Sequence, residues 1–244
     1  MSPAEIQKAY YTRTASSYDS LHNSEGNAEH DLALSFMCSL AGQLGLNSFL
    51  EVGAGTGRGI SFLQDRGIKD VRGIEPVPAL IEQAENRGLT KGVIQEGSGY
   101  SLPFPDNSFD AVFECAVLHH VAEPSRVVGE MTRVARKAVF ISDANRFGQG
   151  SYFARLVKLG LYKTHLWNAA RWIQTGRKMY SISDTDGLFY SYSVYDSYEQ
   201  VARWADLIYF LPTKPNRGAS LSWTHPLLTS EHVLLCGIKG DLGR

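Results

Sequence analysis

Up to about residue 145 the chain alternates short apolar runs with longer segments that are apolar on one stripe only. The runs cover residues 49–52, 71–75, 92–95, 110–114 and 138–142, each bounded by turn residues. A short run that is apolar throughout, rather than at alternate positions, reads as a strand buried on both faces. The segments 60–66, 77–87 and 124–134 between them read as helices. In the second, Leu80, Ile81 and Ala84 share a face and Gly88 is a stop signal. Such alternation predicts parallel strands joined by crossover helices, an α/β sheet covered on both sides.

The flanks read differently. Residues 1–45 read as two helices with Tyr10, Tyr11 and Tyr18 near their junction, expected over one edge of the sheet. From 147 to 204 the alternation stops, and this stretch holds about half of the chain's aromatic residues. Residues 206–211 and 231–238 again read as strands, an antiparallel hairpin closing the sheet. The predicted organisation is one domain over 1–244: an N-terminal helical lid (1–45), a core (46–145), an aromatic and basic helical insertion before the sixth strand (146–204), and closing strands (205–244).

With 244 residues the chain can bury roughly 70–75% of its unfolded surface, enough for one core without staples. A formal net charge of −1, from 24 basic and 25 acidic residues, gives no overall field to gather nucleic acid or an anionic membrane. Cys38, Cys115 and Cys236 are odd in number and fall in no ligand spacing, so neither a disulfide framework nor a metal site is expected. Residues 1–11 lack a leader pattern and no run approaches the roughly 18 apolar residues of a membrane span; the expected location is cytoplasmic. The oligomeric state is not legible.

The first strand runs into Gly53-Ala54-Gly55-Thr56-Gly57-Arg58-Gly59, a turn dense in glycine before a helix. Glycine belongs where φ must be positive or where backbone must approach a ligand closely. No starting glycine gives the dinucleotide fingerprint G-x-G-x-x-G, and the G-K-[ST] of a phosphate loop is missing. A nicotinamide oxidoreductase is therefore a rival reading only. Glu75 stands at the end of the second strand, where a carboxylate can accept both hydroxyls of a ribose lying across the strand ends.

Glu51-x-Gly53-x-Gly55-x-Gly57, Glu75, the run from Gly97 through Leu102-Pro103-Phe104-Pro105 to Asp110, and Val117-Leu118-His119-His120 together resemble class I S-adenosylmethionine-dependent methyltransferases. The likeness covers about residues 45–145 and is nearest the small-molecule branch of ubiquinone and menaquinone methyltransferases. It implies a three-layer Rossmann-like sandwich with a mostly parallel seven-stranded sheet and an antiparallel last strand. It also implies S-adenosyl-L-methionine as cofactor and S-adenosyl-L-homocysteine as product, with 46–145 the cofactor-binding core. Carried over by residue, Glu51, Gly53, Ala54, Gly55 and Gly57 surround the methionine moiety, Glu75 holds the ribose, and Pro76 lies beside the adenine. Ser98 stands where relatives carry an aspartate for the adenine amino group, flanked by Gly99 and with Tyr100 available to stack. Glu114 and Cys115 sit at the methionine end, and Tyr18 belongs to the lid.

Methyl transfer is an in-line displacement that depends on positioning, and a hydroxyl acceptor must also lose a proton. His119 and His120, after the fourth strand, either serve as general base or line the pocket; Asp143 and Asn145, after the fifth, either orient an acceptor hydroxyl in the cleft or make a turn. The Asn/Asp-Pro-Pro-Tyr run that amide or nucleobase nitrogen would call for is absent, Glu114-Cys115-Ala116-Val117 standing in its place. Between Asp143 and Asp184 there is no acidic residue, and Arg146, Arg155, Lys158, Lys163, Arg171, Arg177 and Lys178 supply seven positive charges. Phe153, Leu156, Val157 and Leu161 share a helical stripe that Arg155 and Lys158 avoid. That helix either packs on its apolar face or, through 146–178, touches a membrane surface; the cations otherwise suit an anionic small-molecule acceptor, and nucleic acid is not expected. The favoured expectation is O-methylation of a glycosyl or secondary-metabolite acceptor. A lipid-linked or quinone-like acceptor and a non-catalytic cofactor-binding scaffold are the alternatives.

Overall fold

The computed structural model describes residues 1–18, 28–215 and 230–240. Seven strands form the main sheet: β1 (Ser48–Val52), β2 (Asp70–Glu75), β3 (Ile94–Glu96), β4 (Phe109–Cys115), β5 (Ala135–Ala144), β8 (Leu207–Pro215) and β9 (Ser230–Ile238). Their order is β3-β2-β1-β4-β5-β9-β8. The first five are parallel, while β9 runs antiparallel to both β5 and β8. The order reverses between β1 and β4, the place where open α/β sheets gather their ligands.

Two apolar layers cover the sheet because successive strand residues face opposite ways. Phe49, Phe113 and Phe140 point to one layer with Leu34 and Met37 of α2 (Ala28–Leu44) and Ile60 and Leu63 of α3 (Arg58–Asp65). Leu50, Val112 and Val139 point to the other, with Val127 and Met131 of α5 (Pro124–Val134) and Val201 of α8 (Tyr198–Trp204). The helix α4 (Pro78–Asn86) joins β2 to β3.

The two N-terminal helices do not lie together over a sheet edge. The buried face of α2 packs on β8, β5 and α3, so this helix covers a face of the sheet. The helix α1 (Pro3–Thr14) is started by a reciprocal cap between Ser2 and Glu5, and packs against α4 and a small hairpin across the strand ends. Its junction with α2 lies outside the described residues.

The insertion holds α6 (Tyr152–Lys163), α7 (Trp167–Gln174) and that hairpin, β6 (Tyr180–Ser183) with β7 (Gly187–Tyr190). Its turn, Asp184-Thr185-Asp186-Gly187, carries the Asp-Gly pair that hairpin turns favour, and Gly187 has φ +68°. In α6 the usual arrangement is reversed, and of the two placements left open the helix does not pack on its apolar stripe. Phe153 is 76% exposed and Val157 44%, while Arg155 is buried. Local carbonyls explain the reversal, since Arg155 Nε donates to Gly150 O at 2.8 Å and Lys158 Nζ to Arg146 O at 3.0 Å, tying the polar side inward. Among the described residues no helix is long and apolar enough to cross a membrane.

Candidate functional site

The glycine turn brings main chain to the floor of a cleft of about 310 Å³ at the ends of β1, β2 and β4. Gly53 has φ +73°, and a Cβ there would lie 2.5 Å from Val117 Cγ2, so a side chain is excluded. Gly55, φ +53°, donates its N–H to Glu75 Oε2 at 2.9 Å, and Val77 N donates to Glu75 Oε1 at 3.0 Å. The Glu75 carboxyl is thereby fixed at the floor, and burial raises its pKa to about 7 against those two bonds. Pro76, Ser98, Gly99, Tyr100 and Cys115 also line the cleft, and Tyr11 and Tyr18 close it from α1 and the turn after it. Ala116 takes φ +60°, a strained conformation at a sharp exit from β4.

Several expected residues stand behind this surface. Glu51 turns beneath α3, accepting from Ile60 N at 3.1 Å in the space left by Gly59, where a Cβ would lie 2.3 Å from Oε1; burial raises it to about 8. Ala54 and Gly57 are covered by the sheet and α4 rather than facing the cleft. Glu114 is fully buried and accepts from Val117 N at 2.8 Å; its Oε1 has no hydrogen-bond partner among the described residues, and burial with the nearby Asp143 pushes its pKa well up.

Asp143 and Asn145 do not face the cleft. Asp143 Oδ2 accepts from Leu118 N at 2.7 Å and His119 N at 3.2 Å, and its Oδ1 meets His119 Nδ1 at 2.6 Å. Burial would raise Asp143, but His119 outweighs it and brings the carboxyl down to about 2. Asn145 is spent on structure: its Oδ1 accepts from Phe147 N and Ser193 Oγ, and its Nδ2 donates to Ser230 O.

The histidine pair sits in the tight turn Leu118–His120 after β4. His120 lines the cleft, with Nδ1 2.7 Å from Leu188 O and Nε2 2.9 Å from the Tyr11 hydroxyl. His119 lines an adjoining cavity of about 530 Å³ inside the insertion. Both Nε2 atoms approach Asp186, at 3.4 and 3.5 Å. Gln7 ties α1 to the hairpin, accepting from Leu188 N at 2.5 Å and donating to Asp186 O at 3.3 Å. Gln7 and Asp186 were not foreseen as site residues; the Asp-Gly hairpin signal was the one clue to the latter.

A further cavity of about 590 Å³ runs on from the second, sharing Trp167, Arg171, Tyr190 and Tyr192 with it and Val121 with the cleft. Among the described residues, buried Nε and Nη2 of Arg171, and buried Nε of Arg146, have no hydrogen-bond partner. Arg146 pairs with Asp196, and burial lowers its pKa to about 10.

A methyltransferase-domain family model matches residues 50–141. Residues 50–141 are thus similar to a methyltransferase domain, and the fold around them is that of class I S-adenosylmethionine-dependent methyltransferases. An uncharacterised methyltransferase from Mycolicibacterium gilvum is 40% identical over 88 residues, 36% of this chain and 34% of that protein. A phosphatidylethanolamine N-methyltransferase from Cereibacter sphaeroides is 32% identical over 105 residues, 41% of this chain and 51% of that one. The solved structure of an S-adenosylmethionine-dependent methyltransferase from Thermotoga maritima shares the fold, with a TM-score of 0.59 and 19% identity over 95% of this chain and 99% of that one. The chain spans about a third to about half of the length of the first curated relatives it matches. The methyltransferase cofactor fits the cleft on this structure's own terms. Bare main chain at Gly53 and Gly55 leaves room that a Cβ at Gly53 could not share, and the fixed Glu75 carboxyl offers acceptors for a ribose.

Proposed function

We propose that this domain methylates an oxygen of a small polar acceptor seated in the insertion cavities. When bound, S-adenosylmethionine would supply an electrophilic methyl on a sulfonium sulfur, and an acceptor hydroxyl would give up its proton to solvent. The chain's part is to place and enclose the reactants. Glu75 and the glycine turn hold the cofactor end, Tyr11 and Tyr18 keep water out, and His120 stands where the cleft meets the cavity that His119 lines. That junction is the observation carrying the reading. The unpartnered N–H groups of Arg171 and Arg146 supply donors for an acceptor rich in oxygen, a glycosyl or acidic metabolite, since buried donors are costly to leave unmade.

Calorimetric titration with S-adenosylhomocysteine, then mass spectrometry of a metabolite extract incubated with labelled cofactor, tests this. Uptake of label into an oxygen-methylated product supports it; binding without turnover favours the scaffold reading. Glu75→Ala is expected to weaken binding by about 1–3 kcal/mol, the loss of charge-assisted bonds to ribose hydroxyls; unchanged affinity removes Glu75 from the pose.

A second reading, a lipid-linked acceptor at a membrane surface, is favoured by one observation. The exposed Phe153, Leu156 and Val157 of α6 and Ile173 of α7 form an apolar outer face on the most basic part of the chain. The lipid-headgroup methyltransferase among the relatives agrees with it.

A further inference from the structure

We infer that His119, His120 and Asp186 form a site for a divalent transition-metal ion between the cofactor cleft and the acceptor cavities. One ligand atom from each lies within 4.8 Å of the others. No metal was expected from the sequence, because the ligands come from two distant segments and none is a cysteine.

The hydrogen bonds fix how each ring presents itself. His119 Nδ1 faces Asp143 at 2.6 Å and His120 Nδ1 faces Leu188 O at 2.7 Å. An ionised carboxylate can only accept, so His119 Nδ1 carries a proton; His120 Nδ1 lies between Leu188 O, an acceptor, and Gln7 Nε2, a donor at 3.1 Å, and the two Nε2 atoms face outward. Both turn toward the Asp186 carboxylate, at 3.4 and 3.5 Å. A carboxylate set against two imidazoles calls for a cation between them, either a proton on His119 or a metal ion in its place. Metal-ligating histidines are held in this way, the second nitrogen donating to a carboxylate or backbone carbonyl that fixes tautomer and ring plane. Gln7 completes the arrangement, since its bonds to Leu188 N and Asp186 O hold the hairpin that carries the third ligand. The Tyr11 hydroxyl, now 2.9 Å from His120 Nε2, would release that nitrogen to the ion.

Two imidazoles and one carboxylate select a first-row transition ion such as zinc, cobalt or iron(II) over magnesium or calcium. Three protein ligands leave positions open. One opens to the cavity lined by His119 and Asp186, the other to the cleft lined by His120. The ion's use rests on the proposed transfer: an acceptor hydroxyl bound there gives up its proton to solvent more readily, and its oxygen is held toward the methyl. Its binding does not depend on that reading.

The test is titration of the chelator-stripped chain with Co²⁺, followed by visible absorption and calorimetry. One saturable equivalent with the intense d–d bands of a low-coordinate nitrogen–oxygen site is expected. Asp186→Asn and His119→Gln should abolish the bands while keeping parental affinity for S-adenosylhomocysteine, which shows that the fold and cleft survive. Asp143→Asn, which spares all three ligands, should weaken Co²⁺ by roughly 10–100-fold. No saturable uptake, or uptake unchanged in Asp186→Asn, overturns the site. Loss of homocysteine-product binding in the parent would instead count against the proposed transfer and leave the cobalt result standing.

Discussion

A single carboxyl decides how the cleft responds to pH. Glu75 is raised to about 7 by burial, against two backbone N–H bonds and the charge of Lys8, while Tyr18 and Glu51 face it from the other sides. Ribose hydroxyls donate best to the ionised form. Below pH 7 cofactor binding must therefore expel a proton from Glu75, and affinity should fall toward tenfold per pH unit. Calorimetry of S-adenosylhomocysteine binding at pH 6, in buffers of differing ionisation enthalpy, should show about one proton released, and Glu75→Gln should abolish the release. No proton release in the parent would disconnect Glu75 from the ligand. Glu75 was legible in the sequence because its place follows from the backbone, one strand end beyond a glycine turn. Glu51 was not placed correctly, since spacing does not say whether a carboxylate rises into the cleft or sinks into the gap left by Gly59. Gln7 and Asp186 were out of reach for another reason: Gln7 meets His120 across 113 residues, and only the folded insertion brings them together.

At the scale of elements, the buried strands and α5 were readable because runs apolar on both faces admit few alternatives. Periodicity alone, however, says which residues share a face and not which way that face points. In α6 the carbonyls of Arg146, Gln149 and Gly150 capture Lys158 and Arg155, and the apolar stripe is left outside. If that stripe meets a lipid surface, the chain should co-sediment with vesicles containing anionic lipid and much less with neutral ones, each nearby cation adding about 1 kcal/mol. Phe153→Ser with Val157→Ser should remove the binding without altering affinity for S-adenosylhomocysteine, and equal sedimentation with both vesicle types would exclude it. The insertion's root is a separate matter of packing. A Cβ on Gly148 would lie 1.9 Å from Ser230 O and 2.8 Å from Glu231 N, both backbone atoms that cannot swing away. Gly148→Ala is expected to cost about 1–3 kcal/mol or more in urea denaturation. A loss under 0.5 kcal/mol, about the scatter of surface substitutions, would mean that β9 shifts freely.

The whole molecule buries carboxyls and imidazoles whose shifts act on stability in opposite directions. Glu51 at about 8 and Glu75 at about 7 hold protons in the native state that the unfolded chain releases above about 4.5. Native protein then binds more protons than unfolded, so their contribution is lost as pH rises through 7 and 8. His30, lowered to about 2, and His232, lowered to about 4, both chiefly by burial, are neutral when native but take up protons on unfolding below about 6.5. Their contribution is present above 6.5 and lost as pH falls. The two trends oppose each other in mild acid, and only the carboxyl trend remains above 6.5. Stability of the ligand-free chain should therefore fall between about pH 6.5 and 8. The His119–Asp143 pair adds a slope of the same sign, and it cancels when a Glu51 variant is compared with the parent. Glu51→Gln keeps an acceptor for Ile60 N–H while removing the charge. In urea denaturation it should match the parent near pH 5 and exceed it by about 3–5 kcal/mol at pH 9, the value of a shift of this size. Equal stability at both pH values would mean that water reaches the Glu51 carboxylate beneath α3.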